Sequence, residues 1–288
     1  MIRFHQPSVE DVEWIKNILG TVETQCCDYS AGNLIGWNFY YREQIACVED
    51  CLVVRLNDGK FFGFPQGKNY ESALKKLNEE FPNCDFCMLT DNECKILEKM
   101  FPGKFAFSGL RNSYDYVYSR GVLAELKGKK YHSKRNHISY FEKTFNWSYE
   151  EINSSTLREC IEMNKKWIDQ NISKDPMGLS NEERVLEIFA ENYEKLGLKG
   201  GLLRVDGEIV AFTFGEKLNS NTFVTHYEKA YPSVRGAYPM INMLFARESL
   251  IDYEFINRED DLGSEGLRKA KMSYCPEYLV EKFTAVRI

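Results

Sequence analysis

The sequence predicts an α/β protein of the α+β kind, with mixed, largely antiparallel sheets flanked by helices. Two turn signals, Asn57-Asp58-Gly59 and Val205-Asp206-Gly207-Glu208, each join runs of β-forming residues and so predict antiparallel hairpins. Apolar residues three and four apart mark helices that fall among these hairpins and not after every strand, which argues against regular βαβ alternation. With 288 residues, 43% apolar and 14% aromatic, the chain is long enough for two domains of ordinary size.

Residues 8–19 form the first expected helix. Ser8 stands where an N-cap would, and Val9, Val12, Ile15, Ile18 and Leu19 share one face. Residues 45–56, with Val48, Val53 and Val54, read as strand, turned by Asn57-Asp58-Gly59 into a second strand over 60–64. A helix is expected near 70–80. Phe86-Cys87-Met88-Leu89 reads as a buried strand, followed by Asp91 as the cap of a helix over 92–100. Strands over 104–107 and 114–118 complete a first lobe, residues 1–125. The amphipathic, basic stretch 125–143 reads as a bridging helix, assigned to 126–146. The second lobe, 147–288, begins with a strand at 147–152 and helices near 155–169 and 181–196. The hairpin strands 200–205 and 208–217 follow, then a strand at 222–227 and a Gly/Pro loop. A helix over 239–251, a strand at 253–257 and a last strand near 277–286 end the chain. No short-period repeat or low-complexity tract interrupts the order.

Composition narrows the function. A net charge of −6 argues against general nucleic-acid affinity while leaving room for a local basic patch. The nine cysteines are scattered without framework spacing, which fits free thiols in a reducing compartment. Cys84-x-x-Cys87 has no second pair to complete a zinc site and reads as buried thiol in a strand. His132 and His137, five apart, are poorly placed on a helix to share a metal, so no metal is expected. No apolar run approaches the roughly 20 residues of a membrane helix, and the first residues lack a signal peptide's apolar region. A cytoplasmic protein is therefore expected.

Three stretches concentrate chemistry. In 224–242, Arg235-Gly236-Ala237 opens a helix, where backbone N–H groups and an arginine would meet a phosphate or carboxylate. Glu228 ends the preceding strand as a candidate general base, Tyr238 is a candidate proton donor, and Asn242 a candidate substrate contact. In 256–283, Arg258-Glu259-Asp260-Asp261 is followed by Gly263, Gly266 and a basic run. Asp261 is a second candidate base and Tyr274 a second proton donor. Arg258, Glu259, Arg268 and Lys271 are candidate substrate contacts, with Arg268 and Lys271 on one helix face. In 127–137, Lys127, Lys129, Lys130, Lys134 and Arg135 cluster without an acid between them, and Lys134 and Arg135 are candidate phosphate contacts. Each stretch also has a plain reading: a simple turn, a solvated loop with local ion pairs, a basic surface helix. The sequence has no GxSxG elbow, P-loop, GxGxxG or HExxH.

Together KKYHSKRNHI (129–138), HYEKAYPSVRGAYPMIN (226–242) and INREDDLGSEGLRKAKMSY (256–274), with Asn33-Leu34-Ile35-Gly36-Trp37, resemble the bacterial family related to the C-terminal domain of phosphatidylglycerol lysyltransferase. The resemblance covers nearly the whole chain. It implies two tandem GNAT-like lobes and a link to peptidoglycan-type aminoacyltransferases. The large membrane portion of the lysyltransferase proper has no counterpart here. The function so implied is transfer of an acyl or aminoacyl group from an activated donor, a CoA thioester or aminoacyl-tRNA, to an amine or hydroxyl, with no tightly bound cofactor. The expected partners are a small-molecule donor and acceptor, and tRNA. The competing reading is a non-catalytic module that binds a small anionic metabolite or an RNA end.

Overall fold

In the computed structural model, which describes residues 1–171 and 176–288, the chain divides into two compact units. The first comprises residues 1–117, 218–220 and 257–288, and the second 118–217 and 221–256.

The first unit opens with α1 (Val12–Leu19), which buries Val12, Ile15 and Leu19, three of the residues whose spacing predicts it. A 3-10 turn, Val9–Asp11, precedes it, and the Asp11 carboxylate accepts from the Ser8 N–H at 2.9 Å. The Ser30 hydroxyl caps α2 (Ala31–Gly36), and α3 (Asn38–Tyr41) is a single turn. β1 (Gln44–Val48) and β2 (Cys51–Leu56) form a hairpin where one strand was expected. Glu49 and Asp50 make the turn at φ 51° and 58°, a tight reversal without the glycine that would announce it. Asn57-Asp58-Gly59 then turns β2 into β3 (Phe61–Gly63) as expected. α4 (Tyr70–Glu80) is the crossover that brings β4 (Asp85–Leu89) parallel to β3. α5 (Asp91–Met100) is capped by Thr90 and not by Asp91. The Glu93 carboxylate accepts from the Thr90 N–H at 2.6 Å, which closes a capping box. β5 (Phe105–Gly109) and β6 (Asp115–Ser119) follow.

In the second unit α6 (Arg120–Glu125) ends at Leu126, φ 48°, and α7 (His132–Thr144) begins a new helix. Arg135 of α7 donates to the carbonyls of Leu126 and Gly128, so the stretch expected as one bridging helix is two, joined by a capped corner. β7 (Trp147–Glu151), α8 (Ser154–Asn171), α9 (Pro176–Glu191), β8 (Lys199–Val205), β9 (Glu208–Lys217) and β10 (Thr222–Ala230) come next. The strands lie in the order β7-β8-β9-β10, each antiparallel to its neighbour. α10 (Ala237–Leu244) passes into a π-helical turn, Phe245–Ser249, and β11 (Phe255–Asn257) borders β10. The rings of Phe212, Phe214 and Tyr227 stack in the core, Phe214 and Tyr227 at 5.5 Å and 4°.

The chain then returns to the first unit with α11 (Glu265–Met272), β12 (Tyr278–Val280) and β13 (Phe283–Arg287). β12 pairs with β6, and β13 lies between β4 and β5, giving the order β1-β2-β3-β4-β13-β5. The single terminal strand expected is thus two, parted at Glu281-Lys282. This corrects the expected division into 1–125, 126–146 and 147–288. Residues 257–288 belong with the first unit because β13 completes its sheet, and α7 belongs to the second because it packs on α10. The fold class is the expected one: mixed, largely antiparallel sheets with flanking helices. Among the described residues no helix is long and apolar enough to cross a membrane.

Candidate active site

In the second unit, β9 and β10 pair through Thr225 with Gly215 and then Tyr227 with Phe214, so His226 is an extra residue in the ladder. A Cβ on Gly215 would fall 1.8 Å from the Val224 carbonyl oxygen, so only glycine permits this approach of the strands. At the bulge His226 meets Glu216, with Nε2 3.2 Å from Oε1 and the two side chains 1% and 0% exposed. The Phe189 ring lies 5.2 Å from the imidazole. Such a carboxylate fixes the imidazole's orientation, an arrangement suited to a proton acceptor. Bulges recur beside active sites because they re-aim one side chain. Neither residue was singled out from the sequence. The available signal was a glutamate in the apolar run of β9.

Glu228, two residues before the end of β10 at Ala230, accepts from Asn242 Nδ2 at 3.2 Å, so two predicted site residues meet. Lys229, the partner a plain reading would give Glu228, instead pairs with Glu182 at 2.6 Å and lies 4.1 Å over Trp167. Burial, with Glu228 nearby, pushes the Tyr238 phenol up to about 12, so it keeps its proton. The Arg235-Gly236-Ala237 loop differs from the expected anion cradle. Arg235 lies 4.4 Å over the Tyr140 ring, near His137. Gly236 has φ 95°, and a Cβ there would stand 2.4 Å from the His137 carbonyl oxygen. Packing of α10 on α7 explains that glycine. Ala237 is buried, with its N–H given to the Val234 carbonyl. Arg135 is committed to the α6 corner, and Lys134 lies beside it on α7, half-buried.

In the first unit Asp261 is 0% exposed. Arg268 donates to both its oxygens, at 2.8 and 2.9 Å, Tyr116 donates at 2.5 Å, and the Gly263 N–H at 2.9 Å. Arg111 adds a contact at 3.3 Å. The Arg268 guanidinium above all holds this carboxyl well below the usual carboxylate range. Asp261 is therefore the anchor of its loop, a poor proton acceptor, and Arg268 is spent on it. Lys271 donates to the carbonyls of Arg258 and Asp260 and clamps the same loop. Arg258 lies 4.9 Å over the ring of Tyr274, which is 5% exposed. Glu259 accepts from Asn33 Nδ2 at 2.9 Å, tying the Asn33–Trp37 motif to the loop.

Beneath that loop lies a buried charge cluster. Lys282, 2% exposed, stands 2.6 Å from Asp115 Oδ1 and donates to Asp28. Burial opposes its charge, yet Asp115 and Asp28 hold its pKa well above the ordinary value. Cys26, Asp28 and Asp115 are close enough to supply a metal's donors. The ammonium of Lys282 already contacts both carboxylates there, and burial pushes both neighbouring thiols, Cys26 and Cys27, up and away from the thiolate form. The donor set therefore suits lysine better than a metal. All nine cysteines are unbridged. A separate groove of about 890 Å³ opens at the carboxyl ends of the parallel strands β3 and β4, lined by Gln25, Gln66, Tyr70, Thr90 and Tyr278.

The predicted residues thus gather in two sets: Glu228, Asn242, Tyr238, Arg235, Lys134 and Arg135 in the second unit, and Arg258, Glu259, Asp261, Arg268, Lys271 and Tyr274 in the first.

The family model described as phosphatidylglycerol lysyltransferase, C-terminal, matches residues 20–286. A crystal structure of a conserved protein of unknown function from Bacteroides thetaiotaomicron is 40% identical, covers 100% of both chains and superposes with a TM-score of 0.93. The C-terminal domain of a putative lysylphosphatidylglycerol synthetase from Agrobacterium fabrum is 15% identical with a TM-score of 0.67, covering 97% of this chain and 92% of that one. An uncharacterized protein of Mycoplasmoides gallisepticum is 24% identical over 180 residues, 60% of this chain and 56% of that relative, so the match spans little more than half of the relative's length.

Proposed function

We propose, from the premise that this chain belongs to the family of phosphatidylglycerol lysyltransferase C-terminal domains, that it transfers an aminoacyl or acyl group from an activated ester or thioester to a hydroxyl or amine. The observation that carries this reading is the His226–Glu216 pair at the bulge of β10. The acceptor's oxygen or nitrogen attacks the donor carbonyl, and His226 takes the proton that the acceptor sheds. Glu216 holds the resulting imidazolium. We assign stabilisation of the oxyanion to a backbone N–H beside β10, an interaction worth about 3–4 kcal/mol where such donors have been removed. When the tetrahedral intermediate collapses, the bond to the leaving group breaks and that group takes the proton back. Tyr238, which holds its phenolic proton to about pH 12, is the second candidate donor in this unit, and Glu228, positioned by Asn242, the second candidate base. A charged tRNA or an acyl-CoA is the donor class consistent with the family.

The test is donor consumption by the whole chain across a panel of aminoacyl-tRNAs and acyl-CoAs, with amine and hydroxyl acceptors. His226→Gln and Glu216→Gln should each lower turnover, His226→Gln by about 100-fold or more. Turnover unchanged in His226→Gln would move the base to Glu228. Saturable donor binding without turnover anywhere in the panel would make the chain a binding module and end the transferase reading.

A further inference from the structure

The bulge that carries His226 is held from β9 on both sides. Before it, Gly215 lets Val224 come close. After it, the hydroxyl of Thr213, a residue 0% exposed, donates to the Tyr227 carbonyl at 2.9 Å. In the ladder Val224 faces Glu216 and Thr225 faces Gly215, so an unbroken register would set His226 opposite Phe214. Tyr227 takes that place instead, and Glu228 faces Thr213. His226 is the inserted residue, without a place in the ladder of its own, so its position depends on how firmly its neighbours are held.

Tyr227 is held three times. Its ring stacks on Phe214 at 5.5 Å and on Phe212 at 5.6 Å. Its phenol donates to Asn164 Oδ1 at 3.0 Å. These contacts fix the side chain, and the Thr213 hydroxyl fixes the backbone. Valine would serve a buried strand as well as threonine does, and it would bury no polar atom. The bond to Tyr227 is what the hydroxyl adds at this position. The margin for movement is small, because His226 Nε2 already stands 3.2 Å from Glu216 Oε1, near the upper end of hydrogen-bonding distance.

We infer that Thr213 is a positioning residue: its hydroxyl pins the strand just after His226 and so keeps the imidazole on Glu216. Thr213 acts through the bulge, without contact to the reacting groups. Its bearing on catalysis rests on His226 as the proton acceptor proposed above, whereas its bearing on the imidazole does not.

The test therefore reads the imidazole directly. The chain has four histidines, so His226→Gln assigns the His226 ring signals in nitrogen-15 spectra of the whole protein. In the parent the Nε2 proton should exchange slowly with water. Thr213→Val removes the hydroxyl at nearly constant volume and should speed that exchange by at least about tenfold, whereas Thr213→Ser should keep it within about twofold. Thr213→Ala makes the same deletion if the valine variant does not fold. In the transfer assay the deletion should lower kcat by at least about tenfold with KM little changed, and serine should restore it. Parent-like ring signals and exchange in the valine or alanine variant would overturn the inference, as would a serine variant that behaves like the deletion. A chain that shows no transfer at all would end the catalytic reading alone, since the ring spectra would still decide whether Thr213 holds His226.

Discussion

The ammonium of Lys282 stands 2.6 Å from Oδ1 of Asp115, with the two side chains 2% and 0% exposed. The lysine sits in the break between β12 and β13, and the aspartate begins β6. The Cys27 N–H and Asn257 Nδ2 also donate to Asp115, at 2.9 and 3.0 Å, so the carboxylate is satisfied on both oxygens. Removing one member leaves a buried charge without its partner, a loss of about 3–5 kcal/mol. Lys282→Met should lower stability by that order in urea unfolding. Lys282→Met with Asp115→Asn should recover part of it, because the second change removes one of the stranded charges. A double variant as unstable as the sum of the singles would show that the pair is not coupled.

Asp261 carries the opposite lesson from the one its sequence context suggested. Arg268 holds its folded pKa far below the ordinary aspartate value of about 3.9. A depressed acid contributes stability that is present above the unfolded pKa and is lost as pH falls toward the folded one. The chain should therefore lose stability on acidification below about pH 4, and Asp261→Asn should flatten that part of the profile. The measurement is the chemical unfolding midpoint between pH 2 and 6. An unaltered acid limb in the variant would assign the loss to other carboxylates.

Gly236 offers a test of packing against anion binding. Its φ of 95° and the 2.4 Å approach of a Cβ to the His137 carbonyl make any side chain strained there. Gly236→Ala should cost about 1–3 kcal/mol of stability in the absence of any ligand. A folded, equally stable alanine variant that had lost phosphate-ligand affinity would restore the anion cradle expected from the sequence.

Local turn chemistry explains which parts of the fold could be read ahead. Asn57-Asp58-Gly59 and Asp206-Gly207 name their turns through residues that tolerate positive φ, and both hairpins form. Glu49-Asp50 makes the same kind of reversal with no such residue, so β1 and β2 read as one strand. The corner at Leu126–Gly128 depends on Arg135 reaching back to two carbonyls, which no periodicity reports. The site was harder still. Asp28, Asp115 and Lys282 come from three distant parts of the chain, and only the placement of β13 in the first sheet brings the lysine to the acids. The basic run at 268–271 was visible, but its role inverted, since Arg268 and Lys271 hold their own loop. Glu216 and His226 were each unremarkable in sequence until a one-residue bulge faced them together.

Glu43 gives the sharpest stability test because its sign runs the other way from Asp261. Burial, with Asp28 nearby, raises its carboxyl to about 8, against an ordinary glutamate value of about 4.3. A raised acid binds its proton more tightly in the folded state. Its contribution is then favourable at low pH and is lost as pH rises from about 4 to about 8, where folding must either keep the proton or bury the charge. Glu43→Gln removes this penalty, since the amide stays neutral throughout. The variant should match the parent near pH 3.5, below the unfolded value, and exceed it at pH 8.5 by about 1–4 kcal/mol. Urea unfolding at the two pH values measures the difference directly. A stabilisation of equal size at both would place the gain in packing or hydrogen bonding of the amide, and a loss at pH 8.5 would mean that the Glu43 carboxylate is ionised and paired in the folded chain.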